Sequence, residues 1–132
     1  MNIGNVEALD ARELTAKRTD ERLSLARSLS DFAGIESLLV HQEVILPGRR
    51  TAAAHYHSLK EEIFLVLSGA PSVWVDGEVT QLGAGDFVGF NAKERRAHML
   101  LNLSDAPAVV LTIGTNPPDD SVTFIQTAHV RT

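Results

Sequence analysis

His55 and His57 are separated by one residue in the segment AAAHYH, and Glu62 follows at the head of EIFLVLSG. Side chains of an extended strand alternate between faces, so both imidazoles are expected on one side and Tyr56 on the other. Two imidazoles on a common face make a chelating pair. If the next strand pairs antiparallel, the Glu62 carboxylate is expected beside the two rings, with Glu61 turned away. His98 opens the run HMLLNL after the loop NAKERRA and supplies a fourth candidate ligand from a strand distant in sequence. Neutral imidazoles with one carboxylate suit iron, manganese, zinc, nickel, cobalt or copper. There is no cysteine, so any metal is held by nitrogen and oxygen, and disulfides, iron–sulfur clusters and thiolate nucleophiles are excluded.

Other reactive side chains are less well framed. His41 and His129 are expected to be structural or exposed, although His41 and Glu43 share a strand face and could support a site from behind. Phe64 and Val66 share parity with Glu62, which makes the surroundings of the ion apolar, and Leu100 and Asn102 share parity with His98. Asn102 suits either the pocket or a strand-end hydrogen-bonding role; Tyr56 and Trp74 suit core, interface or pocket. Arg49, Arg50, Lys93, Arg95 and Arg96 lie near these segments and could recruit an anion, although loop arginines are mostly solvated. No serine-nucleophile signature or phosphate-binding glycine loop is present, and no general acid or base stands out beyond the ligand set, so the catalytic residues are unknown.

Such a ligand set needs a rigid scaffold. The chain has 132 residues, the size of one domain. From Ile35 it becomes a series of short β-rich runs, LLVHQEVIL, EEIFLVLSG, SVWVDG, DFVGF, HMLLNL and AVVLTIG among them, punctuated by Gly48, Gly69, Gly77, Gly85 and Pro117-Pro118. Many short strands with regular turn signals and no crossover helix predict an all-β sandwich or barrel. Residues 1–34 read as an N-terminal arm with a weak amphipathic helix over Glu7 to Lys17, residues 35–127 as the barrel, and residues 128–132 as a C-terminal tail. The net charge of −5 argues against nucleic acid as a partner. The absence of a long apolar run or a basic leader argues against a membrane and predicts a cytoplasmic protein.

The segment PGRRTAAAHYHSLKEEIFLVLSG, Pro47 to Gly69, resembles the first motif of the cupins: a glycine leading to His-x-His, then Glu, then Gly. GDFVGFNAKERRAHMLLN, Gly85 to Asn102, resembles the second, a Gly-Asp turn, a strand, a loop, His and a following Asn. Gly48 lies one residue further from His55 than the pattern has it, Asn91 and Lys93 stand in place of Pro and Gly, and the loop before His98 is two residues longer. Small bacterial cupins of the sugar-phosphate-isomerase-like group are similar in that loop and in NLSDAPAVVLTIG. The resemblance implies a double-stranded β-helix, or jelly roll, with a divalent metal ion on His55, His57, Glu62 and His98 at one mouth.

Three neutral imidazoles and one carboxylate around a divalent ion leave a net positive site that favours oxyanions. A six-coordinate ion would keep about two open positions. The expected function is a metal-dependent enzyme acting on a small oxyanion or hydroxy-carbonyl substrate, of isomerase, lyase or dioxygenase type. The alternative is a non-catalytic metal-dependent ligand-binding or sensing module. Exposed edge strands and the N-terminal arm predict a homodimer.

Overall fold

Short runs rich in Val, Ile, Leu and Phe cannot each bury two faces alone, and here they pair into two antiparallel sheets packed face to face. The computed structural model describes residues 1–127; His129 and the expected tail over residues 128–132 lie outside the described residues. The strands are β1 (Arg12–Thr15), β2 (Arg22–Ser28), β3 (Leu38–Ile45), β4 (His55–His57), β5 (Glu62–Ser68), β6 (Ser72–Val75), β7 (Glu78–Gln81), β8 (Phe87–Phe90), β9 (His98–Leu101), β10 (Ala108–Thr115) and β11 (Val122–Phe124). One sheet has the order β1-β2-β3-β10-β5-β8 and the other β11-β4-β9-β6-β7. This is the double-stranded β-helix expected of the all-β reading. No helix among the described residues is long and apolar enough to cross a membrane.

The helix expected over Glu7 to Lys17 does not form. Val6–Ala8 makes one 3-10 turn, and Arg12–Thr15 is instead an edge strand paired with β2, Glu13 opposite Leu25. The spacing of Leu and Ala there favours no helical face, and sheet pairing satisfies the same backbone groups while Glu13 meets Arg22 at 3.0 Å and Arg49 at 2.9 Å. β2 continues the pairing onto β3, Ala26 opposite Glu43. The α-helix among the described residues, α1 (Leu29–Ala33), is capped by Ser28 and closed by Gly34 in the left-handed region.

Period-two alternation fills the interior. Ile45, Val66, Leu100, Ala108 and Val110 from β3, β5, β9 and β10 are at most 1% exposed and form a dry cluster at one end of the barrel. Asn102, fully buried, closes that end. Its side-chain amide donates to the Ile45 and Ala106 carbonyls, at 2.8 and 2.7 Å, and its carbonyl accepts from Ser104. Of the two roles open to Asn102, this is the strand-end one. Gly69 turns β5 toward β6 with φ 83°, and a Cβ there would stand 2.7 Å from the Ala108 Cα, so only glycine fits. Trp74 and Tyr56 belong to a second apolar cluster with Ala54, Ala97, Met99 and Leu101.

Candidate metal centre

Three strands from two sheets bring the expected residues together at the end of the barrel opposite Asn102. β4 carries His55 and His57 on one face, and antiparallel pairing sets His55 directly opposite His98 of β9. Glu62 does not reach them as a cross-strand neighbour, the position expected from sequence. β5 lies in the other sheet, and its carboxylate crosses the barrel interior to the rings. Glu61, one residue earlier, is exposed. The His55 and His57 Nε2 atoms are 3.1 Å apart, and Glu62 Oε2 lies 2.8 Å from His98 Nε2 and 3.6 Å from His57 Nε2. A ligand atom from each of His55, Glu62 and His98 falls within 4.8 Å of the others.

The other ring nitrogens are all fixed. His55 Nδ1 lies 2.7 Å from the Ala53 carbonyl, His98 Nδ1 2.8 Å from the Arg96 carbonyl, and His57 Nδ1 2.7 Å from Asp120 Oδ2. Carbonyls and an ionised carboxylate only accept, so each Nδ1 carries the proton and, in a neutral ring, Nε2 presents a bare lone pair. Those lone pairs point at one another and at the Glu62 carboxylate. The arrangement is repulsive unless a proton or a cation sits among them. Burial pushes the His55 imidazole below its usual range, which disfavours the proton. Burial also works against the Glu62 charge, but when a proton sits on His98 Nε2 the hydrogen bond it donates, with the nearby Lys60 and His57, outweighs burial and holds the carboxyl at about 2. Phe90 stacks on the His98 ring, 3.7 Å between centroids and 7° between planes, and fixes its tilt.

Asp120 is the residue that sequence reasoning missed. It sits in the turn before β11, whose Val122 pairs with His57. Besides His57 it accepts from the Leu59 and Lys60 backbone N–H groups at 2.8 and 3.0 Å. Burial opposes its charge, yet those two N–H bonds and His57 hold its carboxyl at about 2. The signal in the sequence was only an acidic turn, PPDD, ahead of a strand; its pairing with β4 was not visible.

His55, His57 and Glu62 open onto a cavity of about 190 Å³ whose lining includes His41, Glu43, Lys60, Phe64 and Thr112. Lys60 is the cation of this cavity, its Nζ 3.5 Å from Glu62 Oε1. Its stem crosses Gly114, where a Cβ would stand 2.5 Å from the lysine Cε. The arginines considered for anion capture are engaged elsewhere. Arg49 binds Glu13, Arg50 binds Glu21 at 2.7 Å, and Arg96 binds Asp76 at 2.7 Å; the first two tie the N-terminal strands to the barrel. Lys93 and Arg95 lie exposed on the loop before His98, which Asn91 shapes by capping a 3-10 turn over Ala92–Glu94.

Comparison with solved structures agrees with this fold. The chain superposes on a cupin-superfamily sugar phosphate isomerase from Silicibacter pomeroyi with a TM-score of 0.83 and 24% identity, covering 93% of this chain and 81% of that one. A provisionally designated sugar phosphate isomerase from Acidithiobacillus ferrooxidans gives 0.84 and 26%, covering 90% and 76%. A Thermotoga maritima protein, assigned by inference as an oxalate decarboxylase, gives 0.73 and 14%, covering 87% and 99%. None of the curated proteins matches. The family profile described as the cupin domain matches residues 41–114, a span that runs from within β3 to within β10 and includes all four candidate ligands, and the chain belongs to that family.

Proposed function

We propose that His55, His57, Glu62 and His98 hold one divalent metal ion and that the protein is an enzyme acting on a small oxyanion or hydroxy-carbonyl substrate at that ion. The observation that carries the reading is the set of three Nδ1 atoms tied to acceptors, with ligand atoms of His55, His98 and Glu62 within 4.8 Å of one another and His57 Nε2 3.1 Å from that of His55. Second-sphere acceptors of this kind orient metal-bound imidazoles and raise their basicity. Two nitrogen ligands of one ion stand roughly 3 Å apart when each bond is about 2.1 Å, and the His55–His57 separation of 3.1 Å fits. The donor chemistry therefore suits the ion. Bound there, it would supply Lewis-acid polarisation of a coordinated carbonyl or hydroxyl. Asp120 fixes the His57 tautomer, Lys60 adds a positive charge toward an incoming anion, and Phe64 and Phe90 limit water around the rings. The isomerase and decarboxylase names of the structural neighbours favour small oxygen-rich substrates and do not choose between reaction types.

Cobalt(II)-loaded protein tests the open coordination positions. Short hydroxy and keto acids are expected to shift its visible absorption bands, and a spectrum indifferent to all of them contradicts a substrate-binding ion. Oxygen uptake by iron-loaded protein with the same acids separates dioxygenase chemistry from isomerisation or lyase chemistry.

The same reading includes a second copy of the chain, docked on the outer face of the six-stranded sheet rather than through the N-terminal arm. β1 and β2 already pair within their own chain. Leu38, Ile63, Leu67 and Phe87 are 41%, 46%, 45% and 69% exposed on that face, with Leu111 and Ile113 partly exposed between them. Together they make a contiguous exposed apolar patch of the kind that a partner surface covers. Phe87→Asp is expected to convert a sedimenting dimer into a monomer; a monomeric wild type at micromolar concentration contradicts the docking.

A further inference from the structure

Glu43 projects from β3 into the same cavity as the candidate ligands and takes no part in the centre described above. It is 6% exposed, and its hydrogen-bond partners are hydroxyls, Ser24 Oγ at 2.5 Å and the Thr112 side chain. Among the described residues no lysine, arginine or histidine forms an ion pair with it; Lys60, the cation of the cavity, is engaged by Glu62 at 3.5 Å. A carboxyl buried without a cationic partner is far cheaper to keep neutral than charged, and burial accordingly raises Glu43 above the usual carboxylate range. A neutral carboxyl carries a proton to donate. The charged and titratable groups facing it are His41 on its own strand, Lys60 from the β4–β5 turn and Glu62 on β5.

We propose that Glu43 is a ligand-binding residue, donating a hydrogen bond from its carboxylic acid to one end of a small oxyacid whose other end is held at the metal centre. This rests on the metal-centre reading above and adds a substrate class to it: a short acid with oxygen at both ends. The cavity supports that choice. Its volume of about 190 Å³ is that of roughly six waters, its metal end and Lys60 attract an anion, and an acid O–H on β3 donates a hydrogen bond to an oxygen at the far end. Thr112, opposite His41 in the β3–β10 register, keeps the carboxyl turned inward.

Oxalate and acetate are the probes, titrated calorimetrically into cobalt-loaded full-length protein. Oxalate has the second oxygen pair and acetate lacks it. Glu43→Ala is expected to weaken oxalate about tenfold or more, as loss of a hydrogen bond to a charged group does, and to leave acetate and metal content unchanged. Glu43→Gln, whose amide still donates, is expected to keep oxalate within about threefold of wild type. Infrared difference spectra give a second readout that needs no disruptive variant: in wild type, oxalate but not acetate should perturb a protonated-carboxyl band that Glu43→Gln removes. Equal weakening of both probes, equal loss in the two variants, oxalate binding no tighter than acetate in wild type, or an unperturbed band each overturns the proposal. Protein that holds no metal overturns the centre and this proposal together, whereas metal-loaded protein with any of those outcomes overturns the Glu43 role alone.

Discussion

The two ends of the barrel interior are built from the same strands and have opposite chemistry. Along one face, β3 runs from Ile45 through Glu43 to His41, β5 from Val66 through Phe64 to Glu62, β9 from Leu100 to His98, and β10 from Ala108 and Val110 to Thr112. The first residue of each series is apolar and fully buried, and the last is polar and borders the cavity or the ligand cluster. Alternation fixes which residues face inward; the change of residue type along that inward face marks where the barrel stops being core and becomes a site.

Mutations at the two ends should separate stability from metal binding. Leu100→Ala removes a fully buried side chain from the dry end and is expected to cost about 2–5 kcal/mol in chemical denaturation, with metal per folded chain unchanged. A loss of metal in folded Leu100→Ala would break the separation. Asp120→Asn keeps the size of the side chain but removes the charge that holds the His57 proton. It should weaken metal about 10- to 100-fold, the range for such supporting carboxylates, with the protein still folded. Unchanged affinity would mean that Asp120 serves only the Leu59 and Lys60 turn.

Acid should act on the mouth. His55 is lowered in the folded chain, so its contribution to metal-free stability is present above pH 6.5 and declines as pH falls below it. Glu62, at about 2 against an ordinary 4.5, contributes stability that is present above 4.5 and lost between there and about 2; Asp120 behaves alike from 3.8. Denaturation of metal-free protein across pH 8 to 2 should show stability falling in both windows. In Glu62→Gln the lower loss should shrink, and a profile flat across both windows would contradict the electrostatic description of the mouth.

Much of the mouth was legible because strand parity is local. His55 and His57 had to share a face, and the choice of Glu62 over Glu61 followed once β5 faced Phe64 and Val66 inward. What was not legible depends on pairing between distant segments. The sequence does not say that β5 joins the sheet opposite β4, so the carboxylate was expected beside the rings and instead crosses to them. Nor does it say that β11 lies against β4, which alone makes Asp120 a partner of His57. The N-terminal strands were hidden for a related reason: Arg12–Thr15 is an extended segment only because Leu25 and Arg22 of β2 and Arg49 of the barrel meet it. Lys60 was passed over because a lysine in a turn is ordinarily solvated, and only the missing side chain at Gly114 lets it lie into the cavity.

The central claim is that this mouth holds one ion through Glu62 and the three imidazoles. Elemental analysis of wild-type protein purified without chelators, beside Glu62→Gln prepared in the same way, tests it most directly. The account predicts about one divalent ion per chain in wild type and a large loss in Glu62→Gln, with both proteins folded. Folded wild-type protein without stoichiometric metal, or equal metal in the two, would contradict it.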